Sequence, residues 1–498
     1  MSAAMKATLP RLRADFLIGG RWVEAVSGER REILDPATGE VVGDTAYGDN
    51  RDADRALAAA TQAFTGWSRT PVAQRASILA RGAALLRERL EPIAVALTRE
   101  QGKPLPDSRK ELRFTADVFS YYAEVAKHRA DEWRPASRPD MRSLVIRQPL
   151  GVVVAIVPWN FPVDLFSWKA APALAAGCTV VVKPAPETPL ATAAAIQCFL
   201  DAGLPDGVLN YVVGPVETLG ETLVTDPRSR MIAFTGSTAS GRRIMALASS
   251  HVKRLNLELG GHTPMIILDD ADLDATIPAA VRRSFSNMGQ ICNAVNRLYV
   301  ARTLADEFQE RFVDATTRLK LGPGLEPGVE YGPMINEKQV ARTEAHVEDA
   351  VGRGARLLWG GARPDGDRFS KGHFYQPTVL ADVPDEAKTM REETFGPVAP
   401  IASFASLDEV VRRANSTEYG LVAYVFGKDI GQALLIAEQL EFGGVGINVN
   451  DVTELASPFG GWKESGIGRE MGPEGLEAYL EPKHIRIRLG AMIEPGAT

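Results

Sequence analysis

GVVVAIVPWNFPVDLFSWKAAPALAAGCTVVVKP, residues 151–184, decides the fold. It opens on an apolar run, GVVVAIV at 151–157, closed by Pro158. A helical stretch follows around 163–176, and a second apolar run, CTVVVKP, occupies 178–184. Short valine-rich runs bounded by glycine and proline read as buried strands, and a helix between two of them makes a parallel strand–helix–strand unit. The alternation continues outward: LATAAAIQCFLDAG (190–203) is a helix ending at glycine, VLNYVVG (208–214) a strand and ETLGETLVTD a helix. RMIAFTG (230–236) is then a strand and 238–249 a helix. The fold class is therefore α/β with a doubly wound parallel sheet, a design that binds ligands beyond the carboxyl ends of its strands.

A second α/β run starts near 264 with PMIIL and continues through RLYVA (297–301), a helix at 304–318, and strands near 356–359 and 421–426. Upstream, 16–48 reads as short strands and turns, and helical spacing dominates 52–66, 71–102 and 107–130. RSLVIRQPL (142–150) and KHIRIRL (483–489) alternate polar and apolar residues. Both read as strands outside the main sheets, of the kind that pairs between subunits. A chain of 498 residues is too long for one core, so two or three domains are expected.

Composition excludes several classes. A net charge of −7 argues against a nucleic-acid binder held by phosphate contacts. The longest strongly apolar run, 151–159, is too short to cross a bilayer. The N-terminal MSAAMKATLPRLRADF lacks the apolar region of a secretory signal and reads as a short disordered tail. Cys178, Cys198 and Cys292 are few, odd in number and far apart, which points to a reducing, cytoplasmic setting. The six histidines show no ligand spacing, so no metal is expected.

Four stretches carry chemistry. In SNMGQICNAVNR (286–297), Cys292 is a small buried hydrophobe or a nucleophile; the polar Gln290 and Asn293 beside it favour the second reading. In LELGGHTP (257–264), Glu258 is a strand-end surface acid, or a carboxylate whose burial raises its pKa into the range of a general base. In PWNFP (158–162), Asn160 is a turn residue or an oxyanion donor at a strand's carboxyl end. FTGSTASG (234–241) puts Gly236 and Ser237 at a strand-to-helix junction suited to phosphate, and VVGPVETLG (212–220) repeats the theme around Gly214. Neither is a G-x-G-x-x-G fingerprint.

Taken together, PWNFP, APALAAGCTVVVKPAPETP, FTGST, LELGG, GQIC, EETFGPV (392–398), NSTEYGL (415–421) and SPFGGWKESGIGRE (457–470) resemble the aldehyde dehydrogenase superfamily over nearly the whole chain. The resemblance implies an NAD- or NADP-dependent oxidoreductase. Cys292 would attack the aldehyde carbon. The Asn160 amide and the backbone N–H of Cys292 would hold the oxyanion, and Glu258 would activate the water that releases the acid. For the cofactor it implies Lys183 on the adenosine ribose, Gly236 and Ser237 near the pyrophosphate with Trp159 and Gly214 in the same site, and Glu393 with Phe395 at the nicotinamide ribose. It also implies a dinucleotide-binding domain (1–127 and 149–259), a catalytic domain (260–450) and a small β oligomerisation arm (128–148 and 480–498) of a homodimer or homotetramer.

Two departures bear on specificity. Many NAD-preferring members read K-P-x-E-x-T-P; here Pro186 stands at the acid's place and Glu187 follows it, so NADP tolerance and NAD preference both stay open. The C-terminal half most resembles succinate-semialdehyde dehydrogenases. Those enzymes hold the substrate carboxylate with two arginines, and their places are taken here by Trp168 and Ser286. With Phe161 and Phe459, Trp168 would line an apolar tunnel for aliphatic or aromatic aldehydes. The alternative is a semialdehyde held by Arg282, Arg283 or Arg297. A CoA-acylating relative is disfavoured by Glu258. A catalytically silent scaffold is disfavoured by the intact Cys292, Glu258 and Asn160. His262, after LELGG, reads as a surface histidine by default.

Overall fold

The computed structural model describes residues 10–489; residues 1–9, with most of the expected tail, and 490–498 of the expected arm lie outside the described residues. The quoted stretch forms strand Val152–Ile156, helix Pro162–Ala176 and strand Thr179–Lys183. The two strands pair in parallel, Val152 opposite Thr179 and Ile156 opposite Lys183. Val153, Val154, Val180, Val181 and Val182 are wholly buried, each stabilising the core by about 1.5–3 kcal/mol.

Around this pair runs an eight-stranded sheet. Its five central strands are parallel, in the order Arg254–Glu258, Ser229–Thr235, Val152–Ile156, Thr179–Lys183, Leu209–Tyr211. In chain order that is fifth, fourth, first, second, third, so the winding reverses between Val152–Ile156 and Ser229–Thr235. A crevice opens beyond the carboxyl ends at such a reversal. Pro158–Trp159–Asn160 and Gly236–Ser237 leave the sheet there.

A second sheet of seven strands is also mostly parallel: Arg356–Trp359, Thr378–Ala381, Val398–Phe404, Val295–Ala301, Thr263–Ile267, Val422–Phe426 and Gly444–Ile447. Glu258 ends the last parallel strand of the first sheet and Thr263 begins a strand of the second, so LELGG bridges the two. The strands Met141–Pro149 and Leu480–Arg488 form a third, antiparallel sheet with Glu132–Arg134. The alternating segments read as exposed partners for another subunit are thus paired with each other inside one chain. Among the described residues no helix is long and apolar enough to cross a membrane.

The structure departs from the sequence expectation in two places. The helix expected over 71–102 is two, Val72–Glu88 and Leu90–Gln101. Pro92 causes the break, because its ring lacks an N–H and clashes with the carbonyl four residues back, at Glu88, where the first helix stops. The helix expected over 217–226 is a π-helical turn, Val216–Gly220, running into a short α-helix, Glu221–Thr225.

Candidate active site

Trp159, Asn160, Gly236, Ser237, Cys292, Glu393 and Phe395 line one pocket, together with Leu165, Thr235, Gly260 and Arg342. Segments some 230 residues apart therefore converge at the crevice of the first sheet. Trp159 meets Phe395 edge to face, with ring centroids 5.5 Å apart. Phe395 has φ +53°, a left-handed conformation that is costly for a bulky residue and persists only where the surroundings fix it.

Cys292 sits just after a strained turn. Asn287, Met288 and Gly289 all have positive φ, at 49°, 58° and 69°. Two non-glycine residues in this region cost roughly 1–2 kcal/mol each. The turn is held by its own polar groups. Asn287 Nδ2 donates to Gln290 O (3.3 Å), Gln290 Nε2 donates to Asn287 O (3.0 Å), and Gln290 Oε1 accepts from Ile335 N (3.0 Å). Gly289 must be glycine on a second count, since a Cβ there would lie 2.1 Å from Gly396 O. This explains the polar GQIC stretch: its amides serve the turn. Gly261 is equally constrained, because a Cβ would lie 2.1 Å from Cys292 O.

The Cys292 thiol is pushed up to about 12, first by desolvation, then by the charges of Glu258 and Glu393, with Arg283 opposing. At pH 8 the thiolate is then only about one part in 10⁴. Ionising this thiol therefore needs a base. Glu258 is buried, 4% exposed, and among the described residues neither of its carboxylate oxygens has a hydrogen-bond partner. Desolvation, then the charge of Glu470, raises its pKa well above the ordinary carboxyl value. The surface reading of Glu258 does not hold.

Behind Glu258 lies a network that the sequence reading missed. Lys169 Nζ donates to Glu470 Oε1 (2.8 Å) and Thr235 Oγ1 (2.6 Å), with both charged side chains buried. Two carboxylates face one lysine, so the uncompensated one, Glu258, is the one that takes up a proton. A lysine in the apolar helix FSWKAAPALAA was the available signal; nothing in sequence pairs it with Glu470, 301 residues away.

Asn160 is 4% exposed, and its Nδ2 donates to Gln290 O at 3.0 Å. One amide hydrogen is thereby committed and the other remains for a ligand oxygen in the pocket. The remaining residues fit a dinucleotide. Ser237 caps helix Thr238–Ala248, accepting from Ser240 N (3.2 Å), so a helix N-terminus opens on the pocket. Glu393 Oε1 accepts from Gly261 N (3.0 Å), and desolvation raises its carboxyl to about 7. Lys183 lies farther along the sheet, outside this pocket. It is 4% exposed and lowered to about 8 by desolvation, with the charges of Glu187 and Glu217 opposing. Gly214 is buried against Gly48 O, which a Cβ would approach to 2.4 Å.

The three expected tunnel residues do not line the pocket. Trp168 packs edge to face on Phe459 at 5.1 Å, and Phe161 lies under Lys103 Nζ at 3.7 Å. Two of the three alternative arginines are engaged elsewhere. Arg297 donates to the carbonyls of His262, Arg413 and Ala414. Arg283 binds Asn293 Oδ1 (2.9 Å), Asn450 O and Asp451 (2.6 Å). Arg282 is exposed. His262 is buried rather than superficial, at 0% exposure, and its ring lies against Tyr419 with centroids 6.1 Å apart. Desolvation and the Arg297 charge hold it neutral.

Residues 22–485 match the model of the aldehyde dehydrogenase family. The chain is 41% identical to the Escherichia coli K12 succinate-semialdehyde dehydrogenase [NADP(+)], over 96% of this chain and 98% of that protein. It is 42% identical to a 3-sulfolactaldehyde dehydrogenase of Pseudomonas putida, over 95% and 97%. Among solved structures, betaine aldehyde dehydrogenase from Staphylococcus aureus in complex with NAD+ superposes with a TM-score of 0.94 at 35% identity, over 97% of this chain and 96% of the other.

Proposed function

The chain belongs to the aldehyde dehydrogenase family, and we propose that it oxidises an aldehyde to the carboxylic acid with NAD or NADP, through a covalent adduct on Cys292. The observation that carries this reading is the convergence of Cys292 and Asn160 on one pocket, with the charge of the buried, unpartnered Glu258 acting on the thiol.

The Cys292 sulfur adds to the aldehyde carbon as its proton leaves to Glu258. The new oxyanion receives the free Asn160 N–H and the Cys292 backbone N–H, donors worth about 10²–10³ in rate each. The bound nicotinamide supplies the hydride acceptor. Loss of hydride from the tetrahedral carbon leaves a thioester on Cys292. Glu258 passes the thiol proton on to solvent and then takes a proton from water, whose oxygen attacks the thioester; the C–S bond breaks, the acid is released and the departing sulfur recovers that proton from Glu258. Lys169 and Glu470 behind Glu258 stabilise its charged form and its protonated form respectively. Glu393 and Phe395 would hold the nicotinamide ribose, Gly236 and Ser237 would lie near the pyrophosphate, Lys183 would reach the adenosine ribose, and Trp159 and Gly214 would belong to the same site. Pro186 brings no carboxylate of its own to repel a 2′-phosphate, which supports use of NADP, while the charges of Glu187 and Glu217 beside Lys183 support NAD.

For the substrate, an apolar aliphatic or aromatic aldehyde is supported by Trp168 and Ser286 standing where the semialdehyde enzymes carry arginines, and by Arg283 and Arg297 being already engaged. The one cation lining the pocket among the described residues is Arg342, which already donates to Glu393 O, and a buried carboxylate without a cation of its own would bind poorly. A semialdehyde is the second reading, supported by the names of the relatives. A homodimer or homotetramer completes the proposal, with the sheet containing Met141–Pro149 and Leu480–Arg488 as its arm. Initial rates of NAD(P)H formation with succinate semialdehyde, a medium-chain aldehyde and benzaldehyde test it, with Cys292→Ala as control. Apolar substrates are expected to lead. A lead for succinate semialdehyde would overturn the substrate choice, and turnover by Cys292→Ala would overturn the mechanism.

A further inference from the structure

We infer that the buried pair Lys103–Glu111 is a positioning device for Asn160, an inference that rests on Asn160 as the oxyanion donor. Lys103 lies between helices Leu90–Gln101 and Leu105–His128, and its side chain is 1% exposed; that of Glu111 is 0% exposed. An ammonium group has three hydrogens to place. Lys103 Nζ bonds Glu111 Oε2, donates to Asn160 O at 2.8 Å, and sits 3.7 Å from the centre of the Phe161 ring. Two of its three contacts are thus with Asn160 and its immediate neighbour.

Glu111 acts on the same segment from its other oxygen. Oε1 accepts from Val163 N (3.0 Å) and Asp164 N (3.2 Å). These are first-turn donors of helix Pro162–Ala176, whose N-cap residue Phe161 makes no side-chain cap. A carboxylate at a helix N-terminus is also electrostatically favoured. One ion pair therefore fixes both the carbonyl of Asn160 and the start of the helix that follows it.

The Asn160 carbonyl has a second donor, Asn287 Nδ2 at 3.2 Å, and Asn287 Oδ1 accepts from Gln101 Nε2 at 3.2 Å. The Gln101–Gly102–Lys103 connection thereby grips both the oxyanion donor and the strained turn before Cys292. Stability alone gives little reason for such a pair, since well-packed apolar residues usually replace a buried ion pair at no loss. The pair is neutral overall, so it acts by geometry rather than by adding charge to the pocket. A displacement of about 1 Å at a reacting centre costs on the order of 10²-fold in rate.

The test uses the full-length enzyme with saturating NAD(P) and a substrate aldehyde. The variants are Asn160→Ala, the neutral double variant Lys103→Met with Glu111→Gln, and the triple combination. Three quantities are read: the single-turnover rate of the first equivalent of NAD(P)H, the cofactor Kd, and Tm. The double variant leaves no lone buried charge, and the amide oxygen introduced by Glu111→Gln still offers an acceptor to the helix. It is expected to slow the burst by roughly 10–100-fold with cofactor Kd within about twofold. In the Asn160→Ala background the same two changes should alter the burst by less than about twofold, because the donor they position is gone. Equal slowing in both backgrounds, or none in the first, would overturn the inference while leaving Asn160 as donor. An unchanged burst in Asn160→Ala alone would overturn the oxyanion reading and this inference with it. Should the double variant not fold, Lys103→Arg keeps the charge but moves the donors off Asn160 O, and the same two-background comparison decides.

Discussion

Replacing Glu258 by glutamine should separate the two halves of the reaction. The carboxylate is buried without partners, so the change conserves shape and removes a group that is costly to ionise. A general base contributes about 10²–10⁴-fold, which at 1.36 kcal/mol per tenfold is a barrier of about 3–5 kcal/mol on thioester hydrolysis. Steady-state turnover of Glu258→Gln should fall by that factor. The first equivalent of NAD(P)H should still form, but more slowly, because Cys292 must then lose its proton to water instead of to Glu258, whereas hydrolysis is left with no base. A stopped-flow trace is therefore expected to show a burst of about one equivalent per site followed by a nearly flat phase. The pH dependence follows from the direction of the shift. A carboxyl whose pKa is raised is protonated, and useless as a base, until pH passes well above the ordinary value. Wild-type hydrolysis should rise with pH through that point, and the rise should be missing in Glu258→Gln. The charge of Glu258 also raises the Cys292 thiol. Alkylation of Cys292 by iodoacetamide should accordingly shift to lower pH in the variant. Unchanged steady-state turnover, or a burst still missing at a pH high enough to ionise the thiol without a base, would refute the assignment of Glu258 to hydrolysis.

Three further outcomes are expected. Lys183 loses its charge as pH rises through about 8, so the Kd of NADP should climb above that pH, and Lys183→Gln should raise it about 10–100-fold and flatten the dependence, read by fluorescence titration. Gly261→Ala places a methyl 2.1 Å from Cys292 O, so kcat should drop on the order of 100-fold even though the residue touches no reacting atom. Ser286→Arg restores a cation at one of the two vacated positions and should raise kcat/KM for succinate semialdehyde relative to benzaldehyde by about tenfold or more; no change in that ratio would mean the position does not face the substrate.

The parallel sheet was legible because its strands are short, apolar and punctuated by glycine and proline, and because the helices between them repeat at regular intervals. Cys292 stood out by its polar neighbours Gln290 and Asn293, Asn160 by its place at a strand's carboxyl end and Glu258 as an acid between leucines, but each left a structural alternative open, and it was the resemblance carried by eight ordered segments that joined them into one site. What stayed hidden is whatever depends on distant partners. Lys169 and Glu470 are 301 residues apart, Lys103 and Asn160 are 57 apart, and Gly289 meets Gly396 only in three dimensions. His262 was misread because an isolated histidine carries no sign of burial; Arg297, which binds its carbonyl, lies 35 residues on. The break at Arg89 was readable from Pro92, since proline forbids helix four residues upstream, but the continuous 3.6-residue spacing masked it.

The most direct test of the account is the mass of the enzyme quenched during turnover. Glu258→Gln mixed with NAD(P) and a good aldehyde substrate, then acid-quenched, should gain one acyl group, and peptide mapping should place it on Cys292. No adduct, or an adduct on Cys178 or Cys198, would contradict the claim that Cys292 carries the reaction.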